Sequence, residues 1–168
     1  TLALHDALPI LQPGDIAYRC NLVYAADGTL IDYSGGHIKN EDSRKIMKDL
    51  ATEYNCEDFS FYPGVSYRNL LILHGGKFTD KINYEKPDAS QDMRIDDILP
   101  KPVAGEPKSE ETCAFLIDLM MKTRPFLQEH PVNAEREQPA NMIWPWSGGP
   151  KPAMAPFEEK YGVKGAII

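Results

Sequence analysis

Across residues 16–24 the chain alternates strictly, with Ile16, Tyr18, Cys20, Leu22 and Tyr24 on one side and Ala17, Arg19, Asn21 and Val23 on the other. A period of two marks an extended strand with one buried face, because successive side chains of a strand point to opposite sides of the sheet. Such a strand needs pairing partners and a layer to cover its apolar side. Asp27-Gly28 is a hairpin signal leading to a short strand over residues 30–33. Asn40 as a cap, with Glu41 and Asp42 in the first turn, opens a helix whose stripe is Ile46, Met47, Leu50 and Tyr54, ending near Asn55. Residues 59–62 and 65–74 are β-rich, and the Pro63-Gly64 turn between them predicts a second hairpin. Ser109, Glu110 and Glu111 begin a helix carrying Cys113, Leu116, Ile117, Met120 and Leu127, which Pro125 should kink or restart. A last strand over residues 141–146 contains Pro145 and so belongs on a sheet edge.

With the short hairpin strand set aside, the order is strand, helix, strand, strand, helix, strand. This βαββαβ order is that of an α+β, ferredoxin-like two-layer sandwich, here with an extra hairpin strand and a long loop. Both helices then cover one face of an antiparallel sheet, and Arg19 and Asn21 occupy the other, open to solvent, a ligand or a second domain. Residues 77–108 lack periodicity and hold Pro87, Pro100, Pro102 and Pro107, so a long loop with at most a short ordered piece is expected.

A chain of 168 residues with 42% apolar content suits one domain with a sizeable core. The formal charge of −7 speaks against a nucleic-acid or anionic-membrane surface, both of which need a basic footprint. Small molecules and proteins remain as partners. Cys20, Cys56 and Cys113 are widely spaced and include no CxxC, so neither a disulfide framework nor a zinc site is expected, and a reducing cytoplasm fits best. There is no apolar run of membrane-spanning length. Nor is a convincing run of metal-spaced Asp and His residues found, or a nucleophile with an adjacent base.

The polar residues that remain cluster in anion-binding patterns. Arg19 has a planar fork that can grip a carboxylate or phosphate, or form an ordinary cross-strand salt bridge. Asn21, two residues further along the strand, can meet a ligand hydroxyl or a neighbouring loop. Ser34-Gly35-Gly36-His37 precedes a helix and offers backbone amides and an imidazole, the means by which helix starts attract anions, although Gly-Gly turns are often only structural. Arg68 follows a Pro-Gly turn and can hold an anion or balance acidic surface. His130, Asn133 and Arg136, with Asn141 and Trp144 beyond them, suit a small polar ligand or an internal loop network. The two tryptophans read as core or interdomain contacts. Cys20 points into the core, which removes it as a nucleophile.

Five blocks carry a resemblance: Ala17-Tyr18-Arg19-Cys20-Asn21-Leu22-Val23, Asp32-Tyr33-Ser34-Gly35-Gly36-His37-Ile38, Phe61-Tyr62-Pro63-Gly64-Val65-Ser66-Tyr67-Arg68, His130-Pro131-Val132-Asn133 and Pro139-Ala140-Asn141-Met142-Ile143-Trp144-Pro145-Trp146. In that order they resemble the archaeal-type cofactor-independent phosphoglycerate mutases, of the alkaline phosphatase superfamily. The resemblance implies that residues 15–155 are the inserted substrate-binding domain. Residues 1–14 would be a linker or a remnant of the catalytic domain, and residues 156–168, where an apolar strand begins, the return segment to it. It further implies that a missing catalytic domain of the same chain holds two divalent metals (Mn, Mg or Zn) and a phosphoserine intermediate. No metal ligands and no catalytic residues are then expected in this segment. Substrate-binding roles for phosphoglycerate, or a similar small phosphorylated acid, are carried by the same resemblance onto Arg19, Asn21, His37, Arg68, His130 and Asn133. The pattern departs at Arg94-Ile95-Asp96-Asp97-Ile98, where Asp96 stands in place of the histidine of the family's Pro-His-Asp-Ile loop. A phosphotransferase of the same superfamily with another substrate, such as a homoserine-kinase-like enzyme, and a non-catalytic interaction domain are the alternatives.

Overall fold

The computed structural model describes residues 11–151. Strand β1 (Ile16–Ala26) is followed by β2 (Thr29–Asp32), helix α1 (Asn40–Tyr54), and the hairpin of β3 (Phe59–Val65) and β4 (Arg68–Leu73). After an excursion containing β5 (Ile82–Asn83), a one-turn helix α2 (Ile95–Ile98) and β6 (Lys101–Pro102), the chain forms the long helix α3 (Ser109–Glu129) and strand β7 (Met142–Pro150). The expected remnant within residues 1–10, the return segment over 156–168 and the strand beginning there lie outside the described residues.

The register explains the layout. Residues Ile16 to Asn21 of β1 pair antiparallel with β4 from Leu73 to Arg68, and nearly the same residues pair antiparallel with β7, from Ile16↔Pro150 to Val23↔Met142. One stretch of β1 can serve two partners only from its two edges, so β1 is central. Among the described residues β3 pairs with β4 alone, giving the order β7-β1-β4-β3 of a ferredoxin-like sheet, with β2 added at the far end of β1. Strand β7 lies at an edge, where Pro145 is tolerated.

Tyr18, Cys20 and Leu22 pack with Phe61 and Leu71 against Ile46, Met47 and Leu50 of α1 and Leu116, Met120 and Leu127 of α3. Burial contributes about 1.5 to 3 kcal/mol for each large apolar side chain. On the opposite face a smaller cluster gathers Leu11, Ala17, Leu70 and Ile72, with Tyr62 beside it.

The structure corrects several local expectations. Tyr24 does not continue the buried face: Val23 and Ala25 on either side of it are core residues, and the register against β2 shifts between Tyr24 and Ala25. Asn40 is the first residue of α1 and not its cap; its side-chain oxygen accepts from the Ser66 amide at 3.2 Å. Helix α3 runs through Pro125 as one element. The carbonyl that Pro125 leaves unbonded belongs to Met121, an exposed residue one turn earlier, so water can satisfy it. The 77–108 excursion is also more ordered than its composition suggests. Ile82, Ile95 and Ile98 are buried, β5 pairs with β6, and Ser109 ties the segment to α3 by donating to Lys81 O at 2.7 Å and accepting from Val103 N at 2.9 Å.

Edge strand β7 passes very close to β1. A Cβ on Gly148 would lie 2.5 Å from the ring of Tyr18, which is fully buried and donates its hydroxyl to Thr79 O at 2.7 Å. A rigid ring held at both ends cannot yield cheaply, so Gly148→Ala should destabilise the fold by roughly 1 to 3 kcal/mol in urea unfolding. Among the described residues no helix is long and apolar enough to cross a membrane.

Candidate functional site

The pairing that builds the sheet also assembles a cavity on its open face. Asn21 of β1 stands opposite Arg68 of β4, and Arg19 stands opposite both Leu70 of β4 and Trp146 of β7. Three adjacent strands therefore place two guanidinium groups around one concave space of about 260 Å³. Tyr33, Tyr67 and Trp146 line it, and Asp88 reaches it from the excursion.

Each guanidinium rests on an aromatic ring, Arg19 at 4.9 Å from the centroid of Trp146 and Arg68 at 4.2 Å from that of Tyr67. Ring faces attract cations without consuming their N–H donors, so the forks stay available along their edges. Among the described residues no carboxylate comes within 4 Å of either arginine. The cross-strand salt bridge left open for Arg19 is not formed there.

The platforms are braced to each other. Trp146 Nε1 donates to Asn21 Oδ1 at 3.0 Å, Asn21 Nδ2 donates to Tyr33 O at 3.2 Å, and the Tyr33 and Tyr67 rings meet edge to face at 5.5 Å. Both ends of the buried Asn21 amide are thus engaged inside the protein. Burial raises the Tyr67 hydroxyl above its ordinary value against the opposing pull of Arg68, with Tyr33, Asp88 and Asp32 adding to the rise, so it remains a neutral donor at physiological pH.

The other expected site residues stand apart from this cavity. His37 lines a separate shallow recess with Gly36 and Arg136. Three of the four amides of the Ser34-Gly35-Gly36-His37 turn, those of Ser34, Gly36 and His37, are taken within the turn. Asp32 Oδ1 takes Ser34 N at 2.8 Å, Ser34 Oγ at 2.6 Å and Gly36 N at 2.9 Å, and Ser34 Oγ accepts from His37 N at 3.0 Å. The protein's own carboxylate fills the place an anion would take. Gly36, at φ +66°, is required there because a Cβ would lie 2.6 Å from Gln138 O.

His130 is buried beside α1, its Nε2 3.1 Å from Asp49 Oδ2 and its Nδ1 accepting from Val132 N at 3.2 Å. Asn133 donates to Leu127 O at 2.7 Å and Ala140 O at 3.1 Å and accepts from Ala140 N at 3.0 Å. These polar atoms close the end of α3 and the start of the following loop, so the expected single cluster of six reduces to Arg19, Asn21 and Arg68. Asn141, read as a neighbour of that cluster, extends the β7 ladder by bonding Ala25 N and O, each at 2.9 Å. Arg136 donates to Gly35 O at 2.6 Å. Trp144 is core, as read, whereas Trp146 is a wall of the cavity.

Burial pushes the Cys20 thiol up to about 12, in keeping with an inert core residue. Asp96 is exposed at 81% and 4.0 Å from Arg94, and it does not line the cavity. The described residues contain no group of three or more His, Cys, Asp or Glu side chains able to hold a metal ion.

The Asp32 turn shapes the cavity wall next to Tyr33 and titrates in a defined direction. Burial works against its charge, yet the bonds from the Ser34 hydroxyl and the Gly36 and Ser34 amides win and hold the carboxyl below its ordinary value of 3.8. A depressed folded value means that the stabilisation is present above 3.8 and disappears as pH falls through the folded value. The stability advantage of wild type over Asp32→Asn, measured by urea unfolding between neutral and acid pH, should therefore shrink on acidification. An advantage that grew would contradict the assignment.

The family model described as 2,3-bisphosphoglycerate-independent phosphoglycerate mutase matches residues 9–133. The chain is 40% identical over 158 residues to a protein of that name from Methanothrix thermoacetophila and 38% identical over 166 residues to one from Methanosarcina barkeri. The alignments cover 92% and 94% of the chain but only 37% and 38% of the relatives, so the chain spans well under half of their length. Among solved structures, a cofactor-independent phosphoglycerate mutase from Thermoplasma acidophilum superposes with a TM-score of 0.70 at 25% identity, covering 92% of this chain and 42% of that one. A Pyrococcus horikoshii protein superposes with a TM-score of 0.60 at 17% identity, covering 95% and 35%, a likeness of fold.

Proposed function

The chain belongs to the 2,3-bisphosphoglycerate-independent phosphoglycerate mutase family, and from that premise we propose that it is the substrate-binding part of an enzyme interconverting 2- and 3-phosphoglycerate. The observation that carries the reading is the pair of guanidinium groups, Arg19 and Arg68, seated on aromatic faces in one cavity with their donor edges unclaimed by any carboxylate among the described residues. A small phosphorylated acid offers two anionic groups to two such forks, and charge-assisted, two-pronged bonds are the strong ones.

The part these residues play is to grip and orient. Arg19 and Arg68 hold the acid's anionic ends, Tyr67 offers a neutral hydroxyl donor, and Asn21 keeps Trp146 and the Tyr33 backbone in register behind them. A ligand gripped in this way stays close while its phosphoryl group is detached and returned to the other hydroxyl, and holding it there excludes competing water. In this reading the two divalent metals and the phosphoserine belong to the remainder of the protein.

The intact protein supplied with either phosphoglycerate should produce the other. Turnover of homoserine with ATP, and of neither phosphoglycerate, would replace this reading with the phosphotransferase alternative.

A further inference from the structure

On the open face of the sheet, outside the arginine cavity, Ser60, His74 and Asp15 form a line. Ser60 Oγ is 2.9 Å from His74 Nε2, and His74 Nδ1 is 3.2 Å from Asp15 Oδ2. Asp15 is buried at 3% exposure and fixed by two further bonds, from Gln12 N at 3.0 Å and Gly75 N at 3.4 Å. A carboxylate only accepts, so the shared hydrogen sits on His74 Nδ1 and leaves the lone pair of Nε2 facing Ser60. The hydroxyl then donates to the imidazole. That polarity is the one required of a nucleophile, its base and the group that orients the base.

The three come from regular elements. Ser60 lies in β3, His74 directly follows β4, and Asp15 directly precedes β1, with Ser60↔Ile72, Phe59↔Leu73 and Ile16↔Leu73 in register. Ser60 is partly exposed, and the His74 side chain is 24% exposed. Across the sheet from Ser60, on the same face, Ile72 and Ala17 form an apolar row flanked by Tyr62. Both are buried, at 0% and 1% exposure, with Leu11 packed against them, so they brace the base of the Ser60 site and leave the acyl group on its solvent side. Nothing in the proposed mutase role uses these residues.

We propose that Ser60 is an activated serine that accepts an acyl group from small activated esters. In the step, a bond forms between Ser60 Oγ and the ester carbonyl carbon, and the bond from that carbon to the leaving oxygen breaks. The proton passes from Ser60 Oγ to His74 Nε2 and on to the departing oxygen, while Asp15 stabilises the imidazolium formed in between. The products are acyl-Ser60 and the free alcohol or phenol, with no change of oxidation state.

The test is incubation of the intact protein with p-nitrophenyl acetate followed by peptide mapping, which separates Ser60 from any serine elsewhere in the protein. An acetyl group should map to Ser60 and vanish in Ser60→Ala. It should form about tenfold or more slowly in His74→Gln, which keeps a polar side chain but removes the base. Absence of acetylation at Ser60 in the wild-type protein overturns the proposal without reference to any variant. So does a rate unchanged in folded His74→Gln. Mutase turnover is measured in parallel and decides the function proposed above independently of either outcome.

Discussion

Arg19→Ala in the full-length protein should lower kcat/KM for phosphoglycerate by about ten- to a hundredfold, since a hydrogen bond to a charged group contributes about 1.5 to 3 kcal/mol. Its melting temperature should barely move. Arg19 makes no ion pair with a described carboxylate, and its packing partner Trp146 retains its own bond to Asn21. Arg68→Ala, at an exposed position stacked on Tyr67, should behave in the same way. Arg19→Lys should recover only part of the loss, because an ammonium is a point charge and cannot reproduce a planar two-donor edge. Lost stability with unchanged kinetics would place Arg19 in the scaffold and remove the main support for the proposed binding role.

Asn133→Ala should do the reverse. Its side chain makes three hydrogen bonds, to Leu127 O, Ala140 O and Ala140 N, and the residue is 5% exposed. Truncation would strand the Ala140 carbonyl and amide in a buried position, each costing about 1 to 3 kcal/mol when left unpaired, while Leu127 O keeps only the longer bond from His130 N at 3.3 Å. A total of roughly 3 to 5 kcal/mol is expected in denaturant unfolding after partial relaxation, with near-normal KM in whatever protein remains folded. A variant of full stability and sharply raised KM would instead return Asn133 to the substrate.

These two residues show what can be read from sequence. Alternation along β1 placed Arg19 and Asn21 on a common face, since strand periodicity is local and strict. Bringing Arg68 beside them required the β1–β4 register, a long-range property that the hairpin made foreseeable. His130 and Asn133 carry the same polar groups as ligand-binding residues, but the unpaired carbonyls at the end of α3 compete for Asn133, and His130 is taken by Asp49 of α1 and the Val132 amide. The Ser34–His37 turn was read correctly as rich in amides. Asp32, two residues upstream, was the competing acceptor. Tyr33, Tyr67 and Trp146 sat inside the resembling blocks, yet their roles as platforms depend on which face each ring turns to, and Asp88 arrives from a segment with no periodicity at all.

The pairing of Ile16 with Pro150 brings the two ends of the sheet's inner ladder side by side. Whatever chain leads into β1 and out of β7 must therefore attach at neighbouring points, like the two leaves of one door hinge. On the incoming side the binding reaches as far back as Leu11, whose side chain is buried against Ala17 and Ile72, so residues 11–15 belong to the same packed unit as the sheet.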